Sequence, residues 1–218
     1  MNFLLCKYQL ASLLVATFLI AAYAHSEPTI GQIAPEFNAS NAQDKLVSLQ
    51  TLRGQHVVLE WINPACVDVG KRYAARSMQL TQKEYTAKGV AWVAINSTEP
   101  SRTGYMPSEL FRAWLQAQGS AITHHAVDAD TAIAQAYGVV TLPYAVVIDP
   151  SGKVIYTGGV DDLGSAALAS TQNVLGATNH LWHVLGDALA GKPLRTPVTK
   201  SVGCAIRWVP KPVPALRE

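Results

Sequence analysis

Cysteine is scarce in this chain of 218 residues, which carries only Cys6, Cys66 and Cys204. Val69 stands three residues after Cys66, so the chain lacks the C-x-x-C pair that forms a local redox disulfide. Any cysteine that pairs with Cys66 must therefore come from a distant part of the sequence.

Charge of either sign is also in short supply. Charged residues make up 15% of the chain, and 17 Lys and Arg oppose 15 Asp and Glu without a basic run or a basic stretch interleaved with aromatic residues. Nucleic-acid binding depends on such basic patches. We therefore expect no nucleic acid among the partners of this protein.

One apolar run is long enough to suggest contact with a membrane, and it lies near the N-terminus, from Leu10 to Ala22. Lys7 precedes it, and Ala22-Tyr23-Ala24 before His25 has the small-x-small pattern of a signal peptidase site. The run is shorter than the ~20 residues of a spanning helix. A cleaved signal peptide over residues 1–24 is therefore favoured over a retained membrane anchor. The sequence predicts a periplasmic or secreted protein that leaves the membrane after cleavage.

Export leaves Cys66 and Cys204 as an even pair in an oxidising compartment, because Cys6 departs with the signal peptide. Such a pair predicts a disulfide. The full chain has 49% hydrophobic residues, which is enough for one domain with a substantial core. We assign this domain to residues 25–192 and a C-terminal extension carrying Cys204 to residues 193–218.

The stretch around Cys66 predicts a buried strand that ends in a turn. Residues 57–62 are aliphatic, β-branched or aromatic with one acid among them, which is typical of a strand covered on both faces. Asn63-Pro64 ends this strand, and helical spacing begins after Cys66. The Cys66 sulfur is thus expected near a helix N-terminus, where backbone N–H groups favour a thiolate.

The rest of the chain alternates between apolar runs and helical patterns. Strands are predicted at 57–62, 90–96, 122–127, 144–149 and 153–157, and helices at 66–87, 107–118, 131–137 and 173–189. The first two strands should be parallel through the intervening helix, and the last two should form a hairpin around Pro150-Ser151-Gly152. This order predicts an α/β fold.

Two features resemble the thioredoxin superfamily. Glu60 lies six residues before the cysteine, where thioredoxins have a buried acid, and Thr141-Leu142-Pro143 resembles their cis-proline loop. The resemblance implies a thioredoxin-like fold with a central mixed β-sheet and helices on both faces. It also implies that Pro143 faces Cys66. Glu60 is either a proton-transfer carboxyl with a raised pKa, which we favour, or a polar residue at a strand edge.

Further motifs resemble redoxins of the alkyl hydroperoxide reductase and thiol-specific antioxidant type. The opening 31–37 fits G-x-x-A-P-x-F, and 49–54 fits L-x-x-L-x-G. An exported bacterial group of redoxins has a Gly-Cys pair in its C-terminal segment, and Gly203-Cys204 resembles that pair. Val67-Asp68-Val69-Gly70 departs from this group, which has more aromatic and basic residues there.

Three functions follow from the resemblance. The first is an exported thiol-disulfide oxidoreductase with Cys66 as nucleophile and Cys204 as the resolving cysteine, acting on protein or small-molecule thiols and disulfides with an unidentified electron donor. The second is a thiol peroxidase that reduces peroxides through a sulfenic acid at Cys66. Peroxiredoxins bind peroxide with a proline and a Thr or Ser where this chain has Leu59 and Asn63, although Asn63 could donate a hydrogen bond. The third is a non-catalytic module with a structural disulfide.

Metal ions and cofactors are not expected. His180 and His183 lie three residues apart on a predicted helix, a spacing that metal ligands can have, but we interpret them as a solvated helix face. A copper-handling thioredoxin relative would need C-x-x-x-C, and Gly70 occupies the position of its second cysteine.

Overall fold

The computed structural model describes residues 28–40, 46–164 and 171–210. The predicted signal peptide lies outside the described residues, so its cleavage remains a prediction. The strands are β1 Asn38–Ser40, β2 Leu46–Ser48, β3 Val57–Trp61, β4 Ala91–Asn96, β5 His124–Val127, β6 Thr141–Leu142, β7 Tyr144–Ile148, β8 Val154–Gly158 and β9 Cys204–Ala205. The helices are α1 Val67–Ala74, α2 Ser77–Thr86, α3 Ser108–Ala117, α4 Ala132–Ala136, α5 Thr171–Gly176 and α6 His180–Leu189. None of the helices in these described ranges is long and apolar enough to cross a bilayer.

The central sheet has the strand order β5-β4-β3-β7-β8. β3, β4 and β5 are parallel, whereas β7 is antiparallel to both β3 and β8. The predicted thioredoxin-like α/β fold is confirmed, and all five predicted strands of the sheet lie within two residues of their expected ends. Two short pairs, β1 with β2 and β6 with β9, lie outside this sheet.

Helices cover both faces of the sheet. The side chains of β3 point alternately to one face and to the other. Glu60 points towards α1 and α2, where it accepts hydrogen bonds from Tyr73 and Gln82. Trp61 points to the other face and packs against Tyr137 at the end of α4, with 5.5 Å between ring centroids. All five residues of β3 are buried.

The predicted helix over 66–87 is wrong as a single element, because α1 and α2 are separated at Arg76. This residue adopts a left-handed conformation with φ 60°. The break is stabilised by side chains that satisfy the carbonyls at the end of α1. Ser77 Oγ donates to the Arg72 carbonyl over 3.2 Å, and Gln79 Nε2 donates to the Tyr73 carbonyl over 2.9 Å.

The predicted helix over 173–189 is also two helices. Asn179 caps the second, since its side-chain oxygen accepts from the Trp182 N–H over 2.9 Å. Two acids that precede α4 satisfy N–H groups of its first turn. Asp128 accepts from the Ile133 and Ala134 N–H groups, and Asp130 accepts from the Ala132 N–H.

Candidate active site

Cys66 lies at the junction between β3 and α1. The turn that carries it is closed by Asn63, whose carbonyl accepts from the Cys66 N–H over 2.9 Å and whose side-chain oxygen accepts from the Ala65 N–H over 2.8 Å. Cys66 is the N-cap residue of α1, and its carbonyl accepts the Gly70 N–H. Its sulfur therefore lies beside the first turn of the helix, as the sequence predicted.

A disulfide joins Cys66 to Cys204, with 5.9 Å between their Cα atoms. The predicted pairing is confirmed. Cys204 begins β9, which pairs antiparallel with β6 so that Cys204 lies opposite Leu142. The Leu142–Pro143 peptide bond is cis. The structure thus brings Cys66, Cys204 and the proline loop together.

The chain before Cys204 is fixed to the sheet edge and to the proline loop. The Thr199 N–H donates to the Thr157 carbonyl of β8 over 3.1 Å. Ser201 Oγ donates to the Pro143 carbonyl over 2.8 Å. The tail therefore crosses from the outer strand of the sheet to the site before it reaches the cysteine.

The chain after Cys204 is fixed as well. The Ile206 N–H donates to the Val140 carbonyl over 2.9 Å, and Trp208 Nε1 donates to the Val139 carbonyl over 2.8 Å. These acceptors lie between α4 and β6. The cysteine is thus held from both sides by contacts that do not involve the disulfide.

Gly203 allows the close approach of the tail to the proline loop. Its φ of +153° is one that residues with a side chain rarely adopt. A Cβ atom at this position would lie 2.0 Å from the Leu142 carbonyl oxygen and 3.1 Å from Asp68 Oδ2. The pairing of β6 with β9 therefore requires a glycine immediately before Cys204.

Asp68 is an acid in contact with the disulfide. It lies in the first turn of α1, is 8% exposed, and places Oδ2 3.7 Å from Cys204 Sγ. One ligand-type atom from each of Cys66, Asp68 and Cys204 lies within 4.8 Å of the others. Our sequence analysis did not assign Asp68 a role. The available signal was that it departs from the aromatic and basic residues of the similar redoxins.

A buried ion pair supports α1 behind the site. Arg72 donates from Nε and Nη2 to the two carboxylate oxygens of Asp161, each over 2.6 Å, and from Nη1 to the Asp68 carbonyl over 2.8 Å. The side chains of Arg72 and Asp161 are 2% and 7% exposed. This bidentate pair fixes α1 against the segment that follows β8.

Glu60 is fully buried, as predicted, and its carboxylate accepts three hydrogen bonds. The donors are Tyr73 Oη at 3.0 Å, Gln82 Nε2 at 2.9 Å and Trp92 Nε1 at 2.7 Å. Burial raises the pKa of Glu60 above its ordinary value, and the three hydrogen bonds oppose this rise. The same burial, together with the charge of Glu60, raises the pKa of Tyr73.

An open cleft of about 580 Å³ leads to the disulfide. Cys66, Cys204 and Leu142 lie in its lining. One wall comes from the loop after β4, which supplies the hydroxyl groups of Ser97, Thr98, Ser101 and Thr103. Arg102 and Arg207 also line the cleft. Our sequence analysis did not assign this loop a role.

Asn63 uses its amide group to hold this loop. Its Nδ2 donates to Thr98 Oγ1 over 3.1 Å and to the Thr103 carbonyl over 3.3 Å. A Cβ atom on Gly104 would lie 1.9 Å from Asn63 Oδ1, so the loop packs tightly against the side chain. The amide that we considered as a donor to peroxide is therefore engaged within the protein.

The two histidines of α6 line a second, smaller cleft together with Asp187 and Arg195. Asp187 follows His183 by four residues. Within the described ranges, the atoms of Cys66, Asp68 and Cys204 are the one set of three potential ligands that converge. The helix-face interpretation of His180 and His183 stays a prediction.

The sequence pattern of the AhpC/TSA family matches residues 30–157, which is more than half of the chain. The chain belongs to the AhpC/TSA family. Together with the disulfide at the start of α1, this membership identifies a thioredoxin-like redoxin and an oxidoreductase. The matched segment includes Cys66, Glu60 and Pro143, whereas Cys204 lies beyond it. No curated protein matches this chain.

Solved structures share the fold. A hypothetical protein of Sinorhizobium meliloti 1021 is 24% identical over 84% of this chain and 96% of its own, with a TM-score of 0.70. An uncharacterized conserved protein of Geobacillus kaustophilus is 22% identical over 84% and 94%, with a TM-score of 0.69. A candidate thiol:disulfide interchange protein DsbE of Chlorobium tepidum is 24% identical over 60% and 85%, with a TM-score of 0.50. At these identities the likeness establishes the fold alone.

Proposed function

We propose that this redoxin is an exported thiol-disulfide oxidoreductase in which Cys66 is the nucleophile and Cys204 the resolving cysteine. The observation that carries the proposal is the disulfide between a helix N-cap and a separately anchored tail, at the base of an open cleft. A bond that only stapled the tail would have no need of such a cleft. Its substrates are protein or small-molecule disulfides and thiols.

In the reduced protein, the Cys66 thiolate attacks one sulfur of a substrate disulfide and forms a mixed disulfide, while the other substrate sulfur leaves as a thiol. Cys204 then attacks the Cys66 sulfur, and the remaining substrate sulfur leaves as a second thiol. Two electrons pass from the protein to the substrate, and the internal disulfide forms. A dithiol donor restores the reduced state, and the same steps in reverse oxidise a dithiol substrate.

The residues around the disulfide have distinct roles in the proposed reaction. The first turn of α1 stabilises the Cys66 thiolate, because its N–H groups and the helix dipole favour negative charge. Pro143 shapes the loop that holds β9, since Ser201 bonds its carbonyl. Glu60 remains the candidate carboxyl for proton transfer, with the burial and raised pKa that this role needs.

Redox cycling in equilibrium with a dithiol is the decisive measurement. Incubation with graded ratios of reduced and oxidised dithiothreitol, followed by thiol trapping and mass spectrometry, should give a single two-electron transition while the protein stays folded. The variants Cys66→Ser and Cys204→Ser should show no such transition. A bond that is reduced only after unfolding would leave the structural-disulfide alternative in place.

A peroxidase is the second candidate, and membership of the AhpC/TSA family favours it. Two observations count against it: Leu59 and Asn63 stand at the peroxide-binding positions, and the Asn63 amide is bonded to Thr98 and Thr103. Hydrogen peroxide consumption by the reduced protein should be no faster than that of the Cys66→Ser variant. Consumption that depends on Cys66 and exceeds disulfide exchange would replace our proposal.

Export through a signal peptide completes the proposal. An oxidising compartment suits the two cysteines of the mature chain. Mass spectrometry of the protein recovered from its native compartment should find an N-terminus at His25. A soluble chain that keeps Met1 would contradict export.

A further inference from the structure

We propose that Asp68 is a catalytic residue of the resolving step, in which it accepts the proton of the Cys204 thiol and returns it to the departing substrate sulfur. This inference rests on the proposed oxidoreductase function and assigns the acid and base of the resolving step alone. Its basis is the position of the carboxylate, with Oδ2 3.7 Å from Cys204 Sγ. In the disulfide this sulfur carries no proton, so the distance describes a contact that becomes a hydrogen bond when Cys204 is a thiol.

Asp68 and Cys204 are each held in place by other parts of the fold. Asp68 lies on α1, and its backbone carbonyl accepts from Arg72, which is itself bound to Asp161. Cys204 is held opposite Leu142 by β9. Gly203 brings the two together, because a Cβ there would lie 3.1 Å from Asp68 Oδ2. The carboxylate and the sulfur therefore meet through two independently anchored elements.

Glu60 is less well placed for this step. Its two carboxylate oxygens accept from Tyr73, Gln82 and Trp92, and the residue is fully buried beneath α1 and α2. Asp68, by contrast, is in contact with a reacting sulfur at the base of the cleft.

The proposed step is balanced. The substrate is bound to Cys66 as Cys66–S–S–R, and Cys204 is a thiol. As the Cys204 sulfur attacks Cys66 Sγ, its proton moves to Asp68, the Cys66–Cys204 bond forms and the bond to R–S breaks. The proton then passes from Asp68 to R–S⁻, which leaves as R–SH. In the reverse direction the Asp68 carboxyl group protonates Cys204 as it departs.

The size of the effect follows from the ionisation of an ordinary thiol. With a pKa of about 8.5, a thiol is only about 3% thiolate at pH 7, so assisted removal of its proton can accelerate attack by at most roughly thirtyfold. At about pH 9.5 the thiol ionises unaided, and the assistance disappears. A carboxylate that merely lay near Cys204 would do the opposite, because its charge would repel the thiolate and slow the attack.

Neither the arginines nor Asp161 around the site produces this pH profile. Arg72, next to Asp68 on α1, and Arg102 and Arg207 along the cleft keep their charges over the tested range. Asp161, on the segment after β8, is ion-paired with Arg72. β6 presents Leu142 to this part of the tail.

The test resolves the reactions of Cys66 and Cys204 as two successive kinetic phases. Reduced protein is mixed with the aromatic disulfide 5,5′-dithiobis(2-nitrobenzoate), and the absorbance of the released thiolate is followed by stopped flow. The first equivalent reports attack by Cys66, and the second reports resolution by Cys204; because this aromatic sulfur leaves as a thiolate, the second phase tests the removal of the Cys204 proton. In Asp68→Asn, the second phase should be about tenfold slower at pH 7, the first phase should change less than twofold, and the difference should vanish near pH 9.5.

Matched variants make each outcome decisive. Asp187→Asn, on α6 and outside this site, should leave both phases unchanged. Asp68→Glu, which keeps the carboxylate, should recover part of the rate. A second phase that is equal or faster in Asp68→Asn, or slower by the same factor at every pH, would overturn the role of Asp68 while Cys66 and Cys204 still exchange. Loss of the two-phase release in the unmodified protein would instead refute the proposed function.

Discussion

At the scale of single residues, Glu60 shows how burial changes an acid. The carboxyl is enclosed by α1, α2 and β4, and this desolvation disfavours its charged form more than its three hydrogen bonds favour it. The folded protein therefore binds the Glu60 proton more tightly than the unfolded chain does. The stabilisation that follows is present at and below the ordinary pKa of glutamate and is lost as pH rises through the raised pKa.

We expect the free energy of unfolding to contain a component that falls as pH rises above about 4.5, up to the raised pKa of Glu60. Glu60→Gln has no charge at this position and should lack that component. Urea unfolding of both proteins at several pH values between 4 and 8 gives the difference directly, because the other titrating groups are shared. A constant difference across this range would contradict the raised pKa.

At the scale of helices and strands, apolar runs predicted the sheet because each central strand is buried on both faces. The helix breaks were harder to predict. Arg76 adopts a left-handed conformation without the glycine or asparagine that commonly signals it, whereas Asn179 is an ordinary N-cap signal within a longer helical pattern. The position of Asp68 at Cys204 was not predictable, because it depends on pairing between segments 136 residues apart.

The ion pair between α1 and the segment after β8 predicts a large loss of stability on mutation. Asp161→Ala leaves the Arg72 guanidinium buried without its counter-charge, and we expect a loss of about 3–5 kcal/mol in the free energy of unfolding. The adjacent Asp162→Ala is the matched control, since this exposed acid has no buried counter-charge in the described contacts, accepts from the Thr178 N–H and should cost about 1 kcal/mol. Urea unfolding of the oxidised proteins measures both losses of stability. Equal losses would show that the buried ion pair contributes no more than the hydrogen bond between Asp162 and Thr178.

We predict opposite effects of a glycine-to-alanine substitution at Gly70 and at Gly203. The Gly70 position has no atom within 4 Å of an added Cβ, so Gly70→Ala should stabilise α1 by about 1 kcal/mol. Gly203→Ala should displace β9 from β6, because the new Cβ would collide with the Leu142 carbonyl. We expect reoxidation of reduced Gly203→Ala to be at least tenfold slower than that of Gly70→Ala. Comparable rates of disulfide formation, followed by thiol trapping, would show that the tail can bind in another way.

At the scale of the whole molecule, the disulfide closes a loop between residues 138 apart in sequence. Closing so long a loop reduces the entropy of the unfolded chain by an amount worth about 5 kcal/mol in the chain-entropy model. Reduction should therefore lower the free energy of unfolding by up to this amount. Urea unfolding with and without a dithiol measures the change, and Cys204→Ser should give the same curve under both conditions.

The anchors on both sides of Cys204 also determine how the reduced protein competes with thiols in solution. A thiol on a flexible chain meets its target at a millimolar effective concentration, similar to that of an abundant small thiol. Here β9, Ser201 and Trp208 fix the Cys204 sulfur beside Cys66, and well-oriented groups reach effective molarities far above that. In the proposed mechanism, a substrate captured on Cys66 would thus be released by the protein's own second thiol before an external thiol could exchange with it, and each encounter would deliver two electrons rather than one.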